Sequence, residues 1–284
     1  MKPHQLLFFL FFLPSCSHLF LQPSKNDYTA HWKERSEHIQ DGFFESKNGR
    51  KLHYWLMGWK NTKPKAVVLQ FHGNAENMTS HGMSLGWLTH HNLQVLSFDY
   101  QGYGKSEGEK SVAHALEDCY AAIQMATEHA QKLNVPLVLY GQSLGGSLLL
   151  KTLKDHAELL NSKWTPKLVI VESAFYSYPM IAREKLANFF ITWPLQWMAY
   201  LLIPSSYNPG GEDLKNLAHM SFLFLYSEDD PIVPIHHGRL LFEEIPSKDK
   251  TFWGYPESAH IAYAYVNKGA NKIKLLDYIL NHSK

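Results

Sequence analysis

Gly141-Gln142-Ser143-Leu144-Gly145 sets a serine between two glycines at the spacing G-x-S-x-G, directly behind the largely apolar stretch 135–140. A serine hydroxyl becomes a covalent catalyst only where it projects from the chain and a base can take its proton. The pattern supplies the first condition. A strand that turns sharply into a helix leaves no room for side chains beside the apex, so glycines stand there and the serine is forced outward. Behind it, 147–154 carries leucine at helical spacing with no breaker. The Leu144 N–H then lies at a helix N-terminus, where donors are unpaired and the dipole favours negative charge, which makes it a natural oxyanion donor. The plainer alternative is a glycine-rich turn that only packs a helix on a strand.

A nucleophilic serine needs a base, and the base needs an orienting acid. With 17 histidines in the chain, presence alone says nothing, so order and position decide. Two loops that would follow late strands carry the candidates: Ser227-Glu228-Asp229-Asp230-Pro231-Ile232-Val233-Pro234 and Tyr255-Pro256-Glu257-Ser258-Ala259-His260. The chain order is serine, acid, histidine. Glu228, Asp229 and Glu172 compete with Asp230, and His236, His237 and His282 compete with His260. Upstream, Phe71-His72-Gly73-Asn74 has a glycine that admits close backbone approach, and His72, too early in the order to be the base, braces this loop. Gly104-Lys105-Ser106 is not a phosphate loop, because Asp99 stands where its first glycine belongs, and Gly102-x-Gly104 is followed by Glu107 rather than a third dinucleotide-fold glycine. Asn77-Met78-Thr79 and Asn281-His282-Ser283 fit a glycosylation pattern short enough to arise by chance.

These residues need a frame. An Asn48-Gly49 turn between Phe43-Phe44 and the alternating Leu52-His53-Tyr54-Trp55-Leu56 predicts a hairpin. From residue 66 onward, apolar runs alternate with helical segments, the signature of a parallel sheet with helices on both faces. Strands are predicted over 66–71, 93–98, 136–140, 168–171, 222–226 and 251–254, and helices over 78–90, 111–131, 143–156, 235–244 and 261–281; with the hairpin this gives about eight strands. Some fifty residues separate the fourth and fifth runs and hold Phe189, Phe190, Trp193, Trp197 and Tyr200. An apolar insertion of this length reads as a lid, or as a segment whose aromatics pack onto the main core.

Composition is that of an ordinary globular chain: 284 residues, 45% hydrophobic, 19% charged, 27 basic against 26 acidic residues and no run of like charge, so nothing points to nucleic acid and none is expected as a partner. Cys119, in a helical stretch, reads as a small buried residue, and the two cysteines offer no metal or redox spacing. Residues 1–22 begin with Lys2 and an apolar block at 6–13, too short to span a bilayer, and read as an export signal. Leu13-Pro14-Ser15-Cys16 resembles the lipobox of bacterial lipoproteins, which implies lipidation at Cys16, membrane association through the N-terminus and a place in the cell envelope; cleavage near Ser17 to a secreted protein, or retention as an anchor, are the alternatives. Residues 23–41 read as a polar tether and 42–284 as the folded domain, with the lid at about 174–210.

Four motifs in order, the His72-Gly73-Asn74 loop, Asp99-Tyr100-Gln101-Gly102-Tyr103-Gly104-Lys105-Ser106-Glu107-Gly108, the serine turn, and Asp230-Pro231-Ile232-Val233-Pro234 with His260, resemble the α/β-hydrolase superfamily in its monoacylglycerol-lipase-like and serine-aminopeptidase-like branch. The resemblance covers roughly residues 42 to 280. It implies Ser143 as nucleophile, Asp230 as acid, because the family sets the acid three residues before the Val of a Val-Pro pair, His260 as base, and the N–H groups of Asn74 and Leu144 as the oxyanion hole. It also implies hydrolysis of a small acyl substrate without cofactor or metal. An acyl ester is the favoured substrate, a peptide or thioester the alternative, and a non-catalytic binding protein of the same fold the rival from another class.

Overall fold

The computed structural model describes residues 20–29, 39–60, 63–160, 165–188, 190–211 and 214–283. Eight strands form one sheet: β1 (Ile39–Glu45), β2 (Lys51–Met57), β3 (Val67–Phe71), β4 (Gln94–Phe98), β5 (Leu137–Gln142), β6 (Leu168–Glu172), β7 (Ser221–Ser227) and β8 (Lys250–Tyr255). Their order across the sheet is β8-β7-β6-β5-β3-β4-β2-β1, antiparallel where β2 meets β1 and β4 and parallel elsewhere. This is the α/β-hydrolase fold.

The inner strands are buried along their whole length and largely apolar because both faces are covered. Alternation splits each strand between two cores. Leu69, Phe71, Leu139, Val169 and Phe224 face α1 (Val112–Leu133), α2 (Leu144–Asp155) and α4 (Ile235–Glu244), whereas Val68, Val138, Ile170 and Leu225 face the turns around Leu85 and Leu88 and α5 (Ala270–His282). Between β6 and β7 the chain forms α3 (Tyr178–Ala187) and a string of short helical turns, among them Trp193–Met198 and Ala199–Leu202.

Two expected helices are shorter than their apolar spacing suggests. The segment 78–90 is one α-turn, Met78–His81, followed by 3-10 turns Gly82–Ser84 and Gly86–His91. The C-terminal helix starts at Ala270 rather than 261, since Ile261, Asn267, Lys268 and Gly269 all take positive φ. Spacing can imply helix where backbone turns prevent it.

The segment read as a tether is docked on the body over 23–29. Leu21 is 1% exposed and joins the core. Gln22–Pro23 pairs with Ala75–Glu76. The Ser24 and Asn26 carbonyls accept from Asn77 Nδ2, and Gly104 N–H donates to Ser24 O. Asn77 is thereby buried and also caps the Met78–His81 turn, so this glycosylation pattern belongs to packing. We expect Leu21→Ala to lower the unfolding free energy of the full chain by about 2–3 kcal/mol, read from urea midpoints, through the cavity it leaves. Cys16 and the apolar leader lie outside the described residues, among which no helix is long and apolar enough to cross a membrane.

Candidate active site

Asn74, Ser143, Glu172, Asp230 and His260 stand at or just beyond the carboxyl ends of five neighbouring strands, where such sheets present their loops. Ser143 joins β5 to α2 with φ 53° and ψ −119°, a backbone an L-residue adopts only when its surroundings force it. Two glycines force it. A Cβ on Gly141 would lie 2.5 Å from Gly146 Cα, and one on Gly145 would lie 2.2 Å from Phe71 O. The turn is fastened by Ser143 N–H to Glu172 O at 2.8 Å and by Gly146 and Ser147 N–H to Ser143 O. Leu144 is the first residue of α2, so its N–H has no acceptor within the helix.

His260 and Asp230 are brought together. His260 Nδ1 is 2.8 Å from Asp230 Oδ2 and 3.0 Å from Oδ1. Asp230 opens a turn of its own making, in which its Oδ1 accepts from Ile232 N–H at 2.8 Å and Val233 N–H at 2.9 Å. Burial opposes its ionisation, but the hydrogen bond from His260, that residue's charge and these two amides outweigh burial and hold the carboxyl below its ordinary value. Among the described residues no hydrogen bond joins Ser143 Oγ to His260; their loops meet at Gly73, where an added Cβ would lie 3.8 Å from both Ser143 Cβ and Ile261 Cδ1. Such bonds commonly tighten only around substrate.

The competitors are placed elsewhere. Glu228 and Asp229 are exposed. His236 and His237 bond Glu184. His282 Nδ1 pairs with Tyr278 O on its own helix. His72 braces its loop through Nδ1 to Gly73 O at 2.7 Å, with Tyr100 OH donating to His72 O. Asn74, the residue expected to lend the second oxyanion donor, has its side chain engaged: Oδ1 accepts from Gln22 N–H at 2.9 Å and Tyr103 OH at 3.2 Å. The docked arm therefore pins the loop that faces Ser143.

One group was missed as a positioning element. Glu172, weighed only as a rival acid, is 2% exposed and collects Tyr140 OH, Gln142 Nε2 and Tyr263 N–H, each at 2.9 Å. Gln142 Oε1 in turn accepts from Gln70 Nε2, whose Oε1 accepts from Ser97 Oγ. This buried polar chain links the strands beneath Ser143 to the loop that follows His260. Its sequence signal is a polar residue inside or ending an apolar strand: Gln70, Ser97, Gln142 and Glu172.

Glu184, His236 and His237 bring their ligating atoms within 4.8 Å of one another. His237 Nδ1 accepts the Tyr176 N–H at 3.1 Å, so the proton of the neutral ring sits on Nε2 and points at Glu184 Oε2, 3.0 Å away. That tautomer leaves Nε2 no lone pair for a cation. The cluster is a hydrogen-bonded clamp between α3 and α4.

Comparison with known proteins places this geometry in context. The model of the family Hydrolase_4, described as serine aminopeptidase, S33, matches residues 62–220. An uncharacterised protein of Escherichia coli (strain K12), YfhR, is 28% identical over 243 residues, 84% of this chain and 79% of its own. An uncharacterised membrane protein of Saccharomyces cerevisiae, YNL320W, is 29% identical over 211 residues, 73% of this chain and 70% of its own. Among solved structures, the Pyrococcus furiosus esterase Pf2001 superposes with a TM-score of 0.70 at 14% identity, covering 93% of this chain and 98% of that one.

Proposed function

The chain belongs to the Hydrolase_4 family, serine aminopeptidase S33, within the α/β-hydrolase superfamily, and we propose that it cleaves a carboxylic ester through an acyl-enzyme on Ser143. The observation that carries this reading is the His260 Nδ1 to Asp230 Oδ2 contact at 2.8 Å, set in loops that adjoin a serine on a strained strand-to-helix turn. Ser143 Oγ attacks the carbonyl carbon while its proton passes to His260 Nε2. Asp230 holds the ring with Nδ1–H toward itself and stabilises the imidazolium. The N–H groups of Leu144 and Asn74 meet the charge on the carbonyl oxygen. His260 returns the proton to the departing alkoxide, and water, deprotonated by the same ring, releases the acid and regenerates the serine.

An ester is favoured over a peptide by the apolar insertion rooted beside the site: Lys185 on α3 donates to Pro231 O in the acid's own turn, and Phe175, just before α3, exchanges hydrogen bonds with Ser147 of the nucleophile helix. The test is a fluorophosphonate probe on the folded protein, followed by p-nitrophenyl esters of graded chain length beside aminoacyl anilides. Labelling is expected in the parent and absent in Ser143→Ala, with turnover of esters. Equal labelling of Ser143→Ala would remove the mechanism, and turnover of anilides alone would replace the esterase with a peptidase.

A further inference from the structure

We propose that the outer face of the insertion between β6 and β7 docks on a lipid bilayer. Of the thirteen exposed large hydrophobic side chains among the described residues, eight lie within residues 190–202. Phe190 is 89% exposed, Ile191 77%, Leu201 73% and Trp193 60%. No residue between Lys185 and Glu212 carries a charge. Scattered apolar residues on a surface need no explanation, but a contiguous uncharged stretch of this kind marks a contact surface. Its two tryptophans and Tyr200 are the residue types that settle where hydrocarbon meets head groups.

An apolar block upstream of the described residues selects a bilayer over another occupant. The apolar block 6–13 precedes the first described residue, Phe20. The Phe20 ring packs edge-on against Tyr178, the first residue of α3, at 5.1 Å. The described residues therefore start at the foot of the same insertion, and an apolar block held in a membrane brings that face to the surface. Arg183, exposed on α3, and Lys185 stand at the border of the uncharged stretch, placed to meet anionic or zwitterionic head groups. Ile232, 45% exposed and two residues beyond Asp230, lies in the turn that Lys185 touches and carries the apolar character toward the catalytic loops.

The inference rests on the surface and not on the chemistry assigned to Ser143. Its test uses the full chain with Cys16→Ser, in which Cys119 is fully buried and does not label. An environment-sensitive dye is attached at Leu201→Cys, and separately at Ile273→Cys, an apolar position on α5 that is 66% exposed and outside the insertion. On reconstitution into phosphatidylcholine vesicles, the dye at 201 is expected to shift to the blue, to gain emission several-fold and to be quenched by brominated acyl chains, while the dye at 273 stays in water. The same contrast is expected with Ser143→Ala added, which keeps docking separate from hydrolysis. A dye at 201 as wet as that at 273 on vesicle-bound protein would overturn the proposal. So would shielding at 201 that appears without lipid and rises with protein concentration alongside a dimer mass, because the occupant would then be a second copy.

Discussion

Asp230→Asn is expected to lower kcat/KM on an activated ester by about 10⁴ while leaving the fold intact. The size follows from the local hydrogen bonds. The Ile232 and Val233 amides both donate to Oδ1. An asparagine side chain satisfies two donors only with its carbonyl oxygen, so that oxygen is fixed at the Oδ1 position and the NH2 group occupies the Oδ2 position, 2.8 Å from His260 Nδ1. The imidazole then turns its Nδ1 lone pair toward the amide and carries its proton on Nε2. That tautomer cannot accept the serine proton. Asp230→Ala removes the orienting group without imposing the wrong tautomer, and should be no worse than the asparagine variant. Esterase kinetics with both variants, together with nitrogen chemical shifts of the His260 ring, check the result; an asparagine variant within tenfold of the parent would remove Asp230 from the proposed mechanism.

The same residues explain which features were legible in the chain. The serine turn was legible because its requirement is local: Gly141 and Gly145 stand where any side chain would strike backbone. The parallel strands were legible because continuous apolar runs have few other uses. The choice of Asp230 over Asp229 and Glu228 rested on a motif, and the structure gives it a physical counterpart in burial and the Asx turn. The arm was not legible, because Ser24 and Asn26 dock through carbonyls that composition does not show, and Phe20 and Leu21, which pack by their side chains, stand at the end of the stretch read as leader. The aromatics at 190–200 gave two readings, and their exposure leaves core packing out for Phe190, Trp193, Trp197 and Tyr200; Phe189 lies outside the described residues. Glu172 was visible only as a charge ending a strand, since its partners come from two segments far apart in the chain, Tyr140 with Gln142 and Tyr263.

Glu172→Ala is expected to reduce kcat by about 100-fold and to cost about 3 kcal/mol or more of stability, because it leaves three buried donors without an acceptor. One of them, Tyr263 N–H, belongs to the loop that leaves His260 through Ile261 at φ 49°. Without its acceptor, the bend keeps the packing of Tyr263 on Trp253 and Tyr255 but loses the hydrogen bond that ties it to the strand beside Ser143. Glu172→Gln separates position from charge. Its oxygen keeps Tyr140 and Gln142 while its NH2 faces the Tyr263 N–H, donor against donor, so activity falls by about tenfold although the volume is unchanged. With glutamate at 172, stability responds to pH in the opposite sense to a paired carboxylate. Burial raises the Glu172 carboxyl above its ordinary 4.5 against the pull of its three donors. The folded state then binds the proton more tightly than the unfolded chain does, so this contribution to stability is complete below 4.5 and is lost as pH climbs through the folded value. The glutamine does not titrate. Urea midpoints measured from acid to neutral pH should therefore decline in the parent relative to Glu172→Gln; parallel curves would show that the buried carboxyl takes no part in the pH response, and unchanged turnover in both variants would show that the His260 loop does not depend on it.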